Sequence, residues 1–170
     1  MKKATRTSDS VKRLVRGGLI AALYVALTYL SFVFGLSSGV IQFRLSEALC
    51  ILVIFMPEAV AGLTVGCVVA NLLTTAPIWD VIFGAVATLL GALLGYMLRK
   101  TKHIWLAPLP TILSNSIIVP FILLFVYEAE GSYPFFFITV MIGEVVCAGV
   151  LGTLLGYALK KTSLFTNENP

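Results

Sequence analysis

The chain has 170 residues, 59% hydrophobic and only 12% charged, with a mean hydropathy of +1.00 and a net charge of +4. Soluble domains carry about 25% charged residues, so this chain lacks the polar coat that water demands and reads as one all-α integral membrane domain over residues 1–170. The basic excess does not point to nucleic acid, because the cations sit at the ends of apolar runs, where they face anionic headgroups.

A spanning helix takes about 20 mostly apolar residues, and the chain divides into six candidate helices on that measure. Lys2, Lys3, Arg6, Lys12, Arg13 and Arg16 lead into the first, over residues 10–34, with Ser10 as its N-cap. That basic start is like a secretory leader, but the apolar run continues for about 20 residues without a clear cleavage site, so a retained helix is expected. The second helix is predicted over 44–56 and stops before Pro57, since the residue before proline disfavours helix. It is short for a span and is expected to be sheltered by its neighbours. The third covers 57–75 and opens on Pro57 at its first position. The fourth covers 79–98. The fifth covers 110–127, with Pro120 expected to kink it and free the Ser116 carbonyl. The sixth covers 134–159, and the polar tail 162–170 is expected to be loose.

Charge tests the count. The N-terminus, the loop between the fourth and fifth helices (Arg99, Lys100, Lys102) and the C-terminus (Lys160, Lys161) hold eleven of the twelve basic residues. With six spans these three segments share a side, and the positive-inside rule makes that side, with both termini, cytoplasmic. Arg44, the remaining cation, falls on the outer side.

Small residues mark close helix approach in lipid. Gly91 and Gly95, and likewise Gly152 and Gly156, are expected to pack internally. On the first helix Gly18, Ala22 and Ala26 form a stripe for which internal packing and docking to a separate membrane subunit are both open. LLGYMLRK (93–100) is similar to LLGYALKK (154–161), but an interfacial tyrosine before cytoplasmic cations is ordinary membrane patterning rather than a repeat. Cys50, Cys67 and Cys147 all lie in apolar runs with no CxxC and no histidine cluster, so they read as small buried hydrophobes, with no metal site or disulfide expected.

Ionisable groups inside a membrane are costly and are candidates for function. In GVIQFRLSEAL (39–49), Gln42, Arg44 and Glu47 interrupt the apolar sequence near the outer surface. Arg44 and Glu47 are spaced i,i+3 and are expected to pair, as a structural clip, as ligand contacts or as both. Asn71 falls in the outer part of the third helix, where it bridges helices or meets ligand. Asp80 caps the fourth helix or binds ligand. Asn115 lies mid-way along the fifth. Glu144, within MIGEVVCAG (141–149), lies ~15 Å deep at 1.5 Å per residue and has no local cation, which favours function. Glu58, beside Pro57, is expected to favour the start of its helix. Phe43, Trp79, Tyr127 and Tyr133 fall at the outer ends as belt residues, one or two of them available to stack on a planar ligand. The polar groups thus crowd the outer half, which suits a pocket open outward. No Walker A or HExxH pattern occurs and the single histidine is His103, so no enzymatic centre is indicated.

IQFRLSEAL (41–49), PEAVAGLTVGCVVANLL (57–73), WDVIFGAVATLLGALLGY (79–96) and GEVVCAGVLG (143–152) together resemble the QueT family of queuosine-precursor transporters, with the fifth-helix region TILSNSIIVPFILLFVYE more divergent. The resemblance implies a six-helix substrate-binding component, or S component, of an energy-coupling-factor importer in a prokaryotic plasma membrane. It implies partnership with a transmembrane coupling subunit and two cytoplasmic ATPases that use ATP, this chain holding no cofactor. It also implies a 7-deazaguanine ligand: 7-cyano-, 7-aminomethyl-deazaguanine or queuine. A carboxylate accepts the ligand's paired N–H donors, and its carbonyl needs a donor such as Asn115, Gln42 or Arg44. Glu144, Asn115, Asp80, Gln42, Arg44, Glu47, Asn71 and Trp79 form the expected binding set, and Gly18, Ala22 and Ala26 the docking stripe. An S component for another planar vitamin or nucleobase, an autonomous proton-coupled transporter and a purely structural membrane subunit are the alternatives.

Overall fold

A computed structural model describes residues 2–37, 41–74, 76–101 and 103–162, with side chains from residue 9 onward. Residues 39–40, Thr75, Lys102, the side chains of Lys2, Lys3 and Arg6, and the expected loose tail beyond residue 162 lie outside that description. Among the described residues every regular element is helical. The elements are α1 (Lys2–Val33), a 3-10 segment (Leu45–Ile54), α2 (Glu58–Leu73), α3 (Ile78–Met97), two short 3-10 turns (Leu98–Lys100 and Ile104–Leu106), α4 (Leu109–Phe125), α5 (Tyr133–Glu144), a π-helical segment (Val145–Leu151) and α6 (Gly152–Lys161). The last three run on without a break. Among the described residues four helical stretches are long and apolar enough to cross a membrane: Asp9–Val33, Ile78–Lys100, Ile104–Phe125 and Tyr133–Lys161. The Leu45–Ile54 and Glu58–Leu73 helices are shorter.

Two sequence expectations need correcting. Helix α1 runs straight through Ser10, which therefore lies inside the helix and not at its N-cap; the stretch before it has no glycine or proline to stop the helix. The segment expected as an α-helix over 44–56 is instead a 3-10 helix, unusually long for that form. Seven of its ten residues are buried, which is the shelter its length called for. Its geometry also explains how it packs. A 3-10 step of three residues advances about 6 Å and an α step of four also about 6 Å. Ala48 and Ile51 therefore stay in register with Gly152 and Gly156 of α6, whose Cα positions abut the Ala48 carbonyl and the Ile51 side chain.

Small residues hold the other contacts. Gly62 and Gly66 of α2 lie on the backbone of Gly17 and Ala21 in α1. Gly91 lies on Thr111 of α4, and Gly95 on the Ala107 carbonyl just before that helix. The pairs 91/95 and 152/156 thus pack internally, as expected. The Gly18, Ala22 and Ala26 stripe instead faces outward, and a Cβ built at Gly18 meets nothing within 4 Å. Large apolar side chains such as Leu14, Leu19, Phe83, Leu90, Phe121 and Ile138 point outward, while Ala59, Ala87, Ala92 and Ala148 are fully enclosed. Lipid supplies no hydrophobic drive inward, so close approach of small residues replaces it. The three cysteines are buried and free.

Candidate functional site

The 3-10 segment is fixed to α1 by a ladder of buried polar contacts. Tyr24, Thr28 and Ser31 lie on one face of α1 at spacings of four and three residues. The Tyr24 hydroxyl donates to Glu47 Oε1. The Thr28 hydroxyl donates to Ser46 Oγ at 2.8 Å. The Leu45 N–H donates to Ser31 Oγ at 3.0 Å, a cap supplied from another helix. The order 24–47, 28–46, 31–45 is antiparallel and orients the segment. Glu47 is therefore held by Tyr24, and among the described residues no ion pair joins it to Arg44. The expected i,i+3 clip is not a direct ion pair, because the 3-10 chain buries Glu47 toward α1 while Arg44, just before the helix, lines a cavity and acts on Glu47 through its charge alone.

The strand-like approach to this segment is seated by Gly143. A Cβ at Gly143 would collide with the Gln42 carbonyl, so only glycine lets the 42–44 backbone lie against α5. The next residue is Glu144. Asn115 Nδ2 donates to its Oε1 at 2.8 Å, while Oε2 is buried without a hydrogen-bond partner. Gln42, Arg44, Asn115, Val119, Val140 and Glu144 line a small recess there. The π-helical segment begins one residue later, a distortion of the kind often found beside functional groups.

Gln42, Arg44 and Val119 also line a larger cavity of about 540 Å³, within the range of small-molecule sites. Its other walls include Phe32, Pro77, Asp80, Ile122 and Tyr127. Asp80 sits in the first turn of α3, makes no side-chain cap, and accepts from the Tyr127 hydroxyl at 2.8 Å through Oδ2. Burial and then the adjacent Asp80 carboxylate push the Tyr127 phenol up, so it remains a donor at neutral pH.

The structure thus brings Gln42, Arg44, Asp80, Asn115 and Glu144 around two adjoining spaces. It does not bring Asn71 and Trp79 there. Asn71 is buried between helices and donates to the Asp80 backbone carbonyl at 3.3 Å. Trp79 is 54% exposed on the outer surface and stacks on Phe83. Glu47 is buried behind the site rather than lining it. Glu58 pairs with Arg16 at 3.5 Å, away from the site. Helix α4 continues through Pro120, and the nearby carbonyl that finds a new donor is that of Ile117, from Tyr133, at 3.1 Å. Sequence reasoning missed Tyr24 and Gly143. The polar stripe Tyr24, Thr28, Ser31 within an apolar run was the available signal for the first; for the second, a glycine beside a buried acid.

A family model described as QueT transporter matches residues 14–161. The queuosine precursor transporter QueT of Lactococcus lactis subsp. cremoris (strain MG1363) is 36% identical over 106 residues, a match covering 61% of this chain and 60% of that protein's length. No solved structure matches the chain.

Proposed function

The chain belongs to the QueT transporter family, and from that premise we propose that it is the substrate-binding S component of an energy-coupling-factor importer, capturing a 7-deazaguanine queuosine precursor from outside the cell. A transport role needs no chemistry of its own here; ATP hydrolysis falls to two cytoplasmic ATPases joined through a transmembrane coupling subunit. The chain resides in the cell membrane as six spans with both termini cytoplasmic. The charge distribution supports that topology, and the two shorter helices count as spans because neighbours bury them.

The observation that carries the ligand reading is Glu144 Oε2. It is a buried acceptor without a partner, fixed by Asn115 through its other oxygen and lining a polar recess. Leaving such a group unpaired costs about 1–3 kcal/mol, and a purine-like edge with adjacent N–H donors removes that cost. Asn115, Gln42 and Arg44 supply the donors that the ligand carbonyl requires. The neighbouring cavity receives the rest of the molecule.

Calorimetric titration of Glu144→Gln with a 7-deazaguanine tests this. The substitution keeps size but sets an NH2 donor against the ligand's N–H groups. Affinity should fall by about 30- to 1000-fold, or about 2–4 kcal/mol. Near-wild-type affinity would return Glu144 to a structural role. Uptake by cells with and without the ATPase and coupling subunits tests the energy source. Uptake without them, dependent on a proton gradient, would favour an autonomous transporter.

A further inference from the structure

We propose that a groove between α3 and α4, on the lipid-facing surface, binds one acyl chain of a phospholipid whose headgroup lies beside Trp79; the site is separate from the substrate pocket and rests only on the membrane placement above. Residue spacing builds the groove. Ile117, Phe121 and Phe125 recur at every fourth position of α4, and so do Ile118, Ile122 and Val126, the last just past the helix end. Each set forms a ridge along one face. The first ridge is exposed and makes one wall; the second, with Ile122 only 3% exposed, makes the floor. Phe83 of α3 makes the facing wall. The Phe121 and Phe125 rings stack at 11°, which keeps their wall continuous.

The groove encloses about 380 Å³, and every residue lining it is apolar. Such a space offers no partner to ordered water, and in a bilayer hydrocarbon fills it. Its length and direction fit an acyl chain. From Ile117 to Phe125 the helix rises about 12 Å, close to the depth of one leaflet, about 15 Å of a core of about 30 Å. Trp79 marks the headgroup end. It lies in the first turn of α3 and stacks on Phe83 with ring centroids 6.1 Å apart. The Tyr127–Asp80 hydrogen bond sets the start of α3 level with the end of α4. An exposed tryptophan at a helix end settles among headgroups. Trp79, which does not reach the substrate cavity, thus stands at the mouth of this groove.

A partner helix is the poorer occupant. Helices in lipid approach closely through small residues, whereas these walls carry phenylalanine and isoleucine, which hold a backbone off but flank a thin chain. The outward stripe of small residues is on α1, and α2 packs between α1 and α3. Ile122 also lines the substrate cavity, as does Ala129 of the rim loop (126–132) that follows α4. A chain seated on Ile122 therefore backs one wall of that cavity.

Photolabelling tests the site. The purified full chain is placed in nanodiscs of palmitoyl-oleoyl phosphatidylglycerol doped with the same lipid carrying a diazirine toward the tail of one chain, irradiated and mapped by peptide mass spectrometry. Ile117 in the groove and Ile138 on α5 are matched in side chain and in exposure, 48% and 51%. They are matched in depth too, because Tyr133 packs on Phe121 and each isoleucine lies four or five residues further inward. Adducts at Ile117 should exceed those at Ile138 by about fivefold or more. Ile118→Trp fills the groove from its floor and should bring the two yields level. Equal yields in the wild type would leave only fluid lipid there and overturn the site, as would an excess that survives Ile118→Trp. The excess should persist when the chain is assembled with its coupling subunit; its loss on assembly would give the groove to a partner helix and overturn the lipid site. Labelling of neither isoleucine would overturn the membrane placement, and the site with it.

Discussion

Tyr24 and Glu47 meet where a polar pair must be complete, because both are at most 2% exposed in the middle of the bundle. Tyr24→Phe removes one donor from a buried carboxyl group that Asn115 also contacts. It should lower stability by about 1–3 kcal/mol, read as a shift in thermal unfolding in detergent. A double-mutant cycle on stability should give a larger coupling for Tyr24 with Glu47 than for Arg44 with Glu47. The reverse order would restore the clip that the sequence spacing suggests. Gly143 acts on the site through the backbone. Gly143→Ala drives a methyl group into the Gln42 carbonyl, so the Gln42–Arg44 run must shift. Loss of about 1–3 kcal/mol of stability is expected, together with weaker ligand binding. An alanine variant that unfolds and binds like wild type would show that this run is not seated by α5.

At the scale of elements, opposite outcomes are expected for two stripes of small residues. Gly156 meets Ile51 and Ile104 on the inside, so Gly156→Leu should destabilise the chain itself by overpacking. Ala22 and Ala26 face outward on α1. Ala22→Leu or Ala26→Leu should leave unfolding temperature and ligand affinity intact and abolish assembly with the coupling subunit, scored by co-purification. If assembly survives both substitutions, the partner docks elsewhere. The 3-10 segment matters for the same reason. Its 6 Å three-residue step matches the four-residue step of α6, which lets a ten-residue segment run beside α6 while presenting Gln42 and Arg44 to the cavity at its start.

For the whole molecule, the proposed orientation rests on charge. Eleven of twelve basic residues lie in segments that six spans place on one side. A cysteine at Ser132, exposed in the rim loop, should react with an impermeant thiol reagent on intact cells, and one at Thr101 should react only after lysis. The inverse pattern would overturn the orientation. Labelling at Ser132 should also fall when ligand is bound if the rim closes over the cavity.

The sequence by itself determined the class of protein, the extents of most helices to within a few residues and the set of polar groups from which the site is drawn. Those follow from composition and run length, which are local properties of the chain. Which polar groups meet was decided only by the tertiary structure. In a membrane the outward face of a helix is as apolar as the inward one, so periodicity does not mark which face is buried. Trp79 and Asp80 are adjacent in sequence, yet a helical turn of about 100° per residue sends one to the outer surface and the other to the cavity. Glu47 sits three residues from Arg44 but is claimed by Tyr24, twenty-three residues away, because the chain returns antiparallel to α1. The 3-10 form of Leu45–Ile54 was equally illegible, since its reason is not propensity but the register that Gly152 and Gly156 impose from across the bundle.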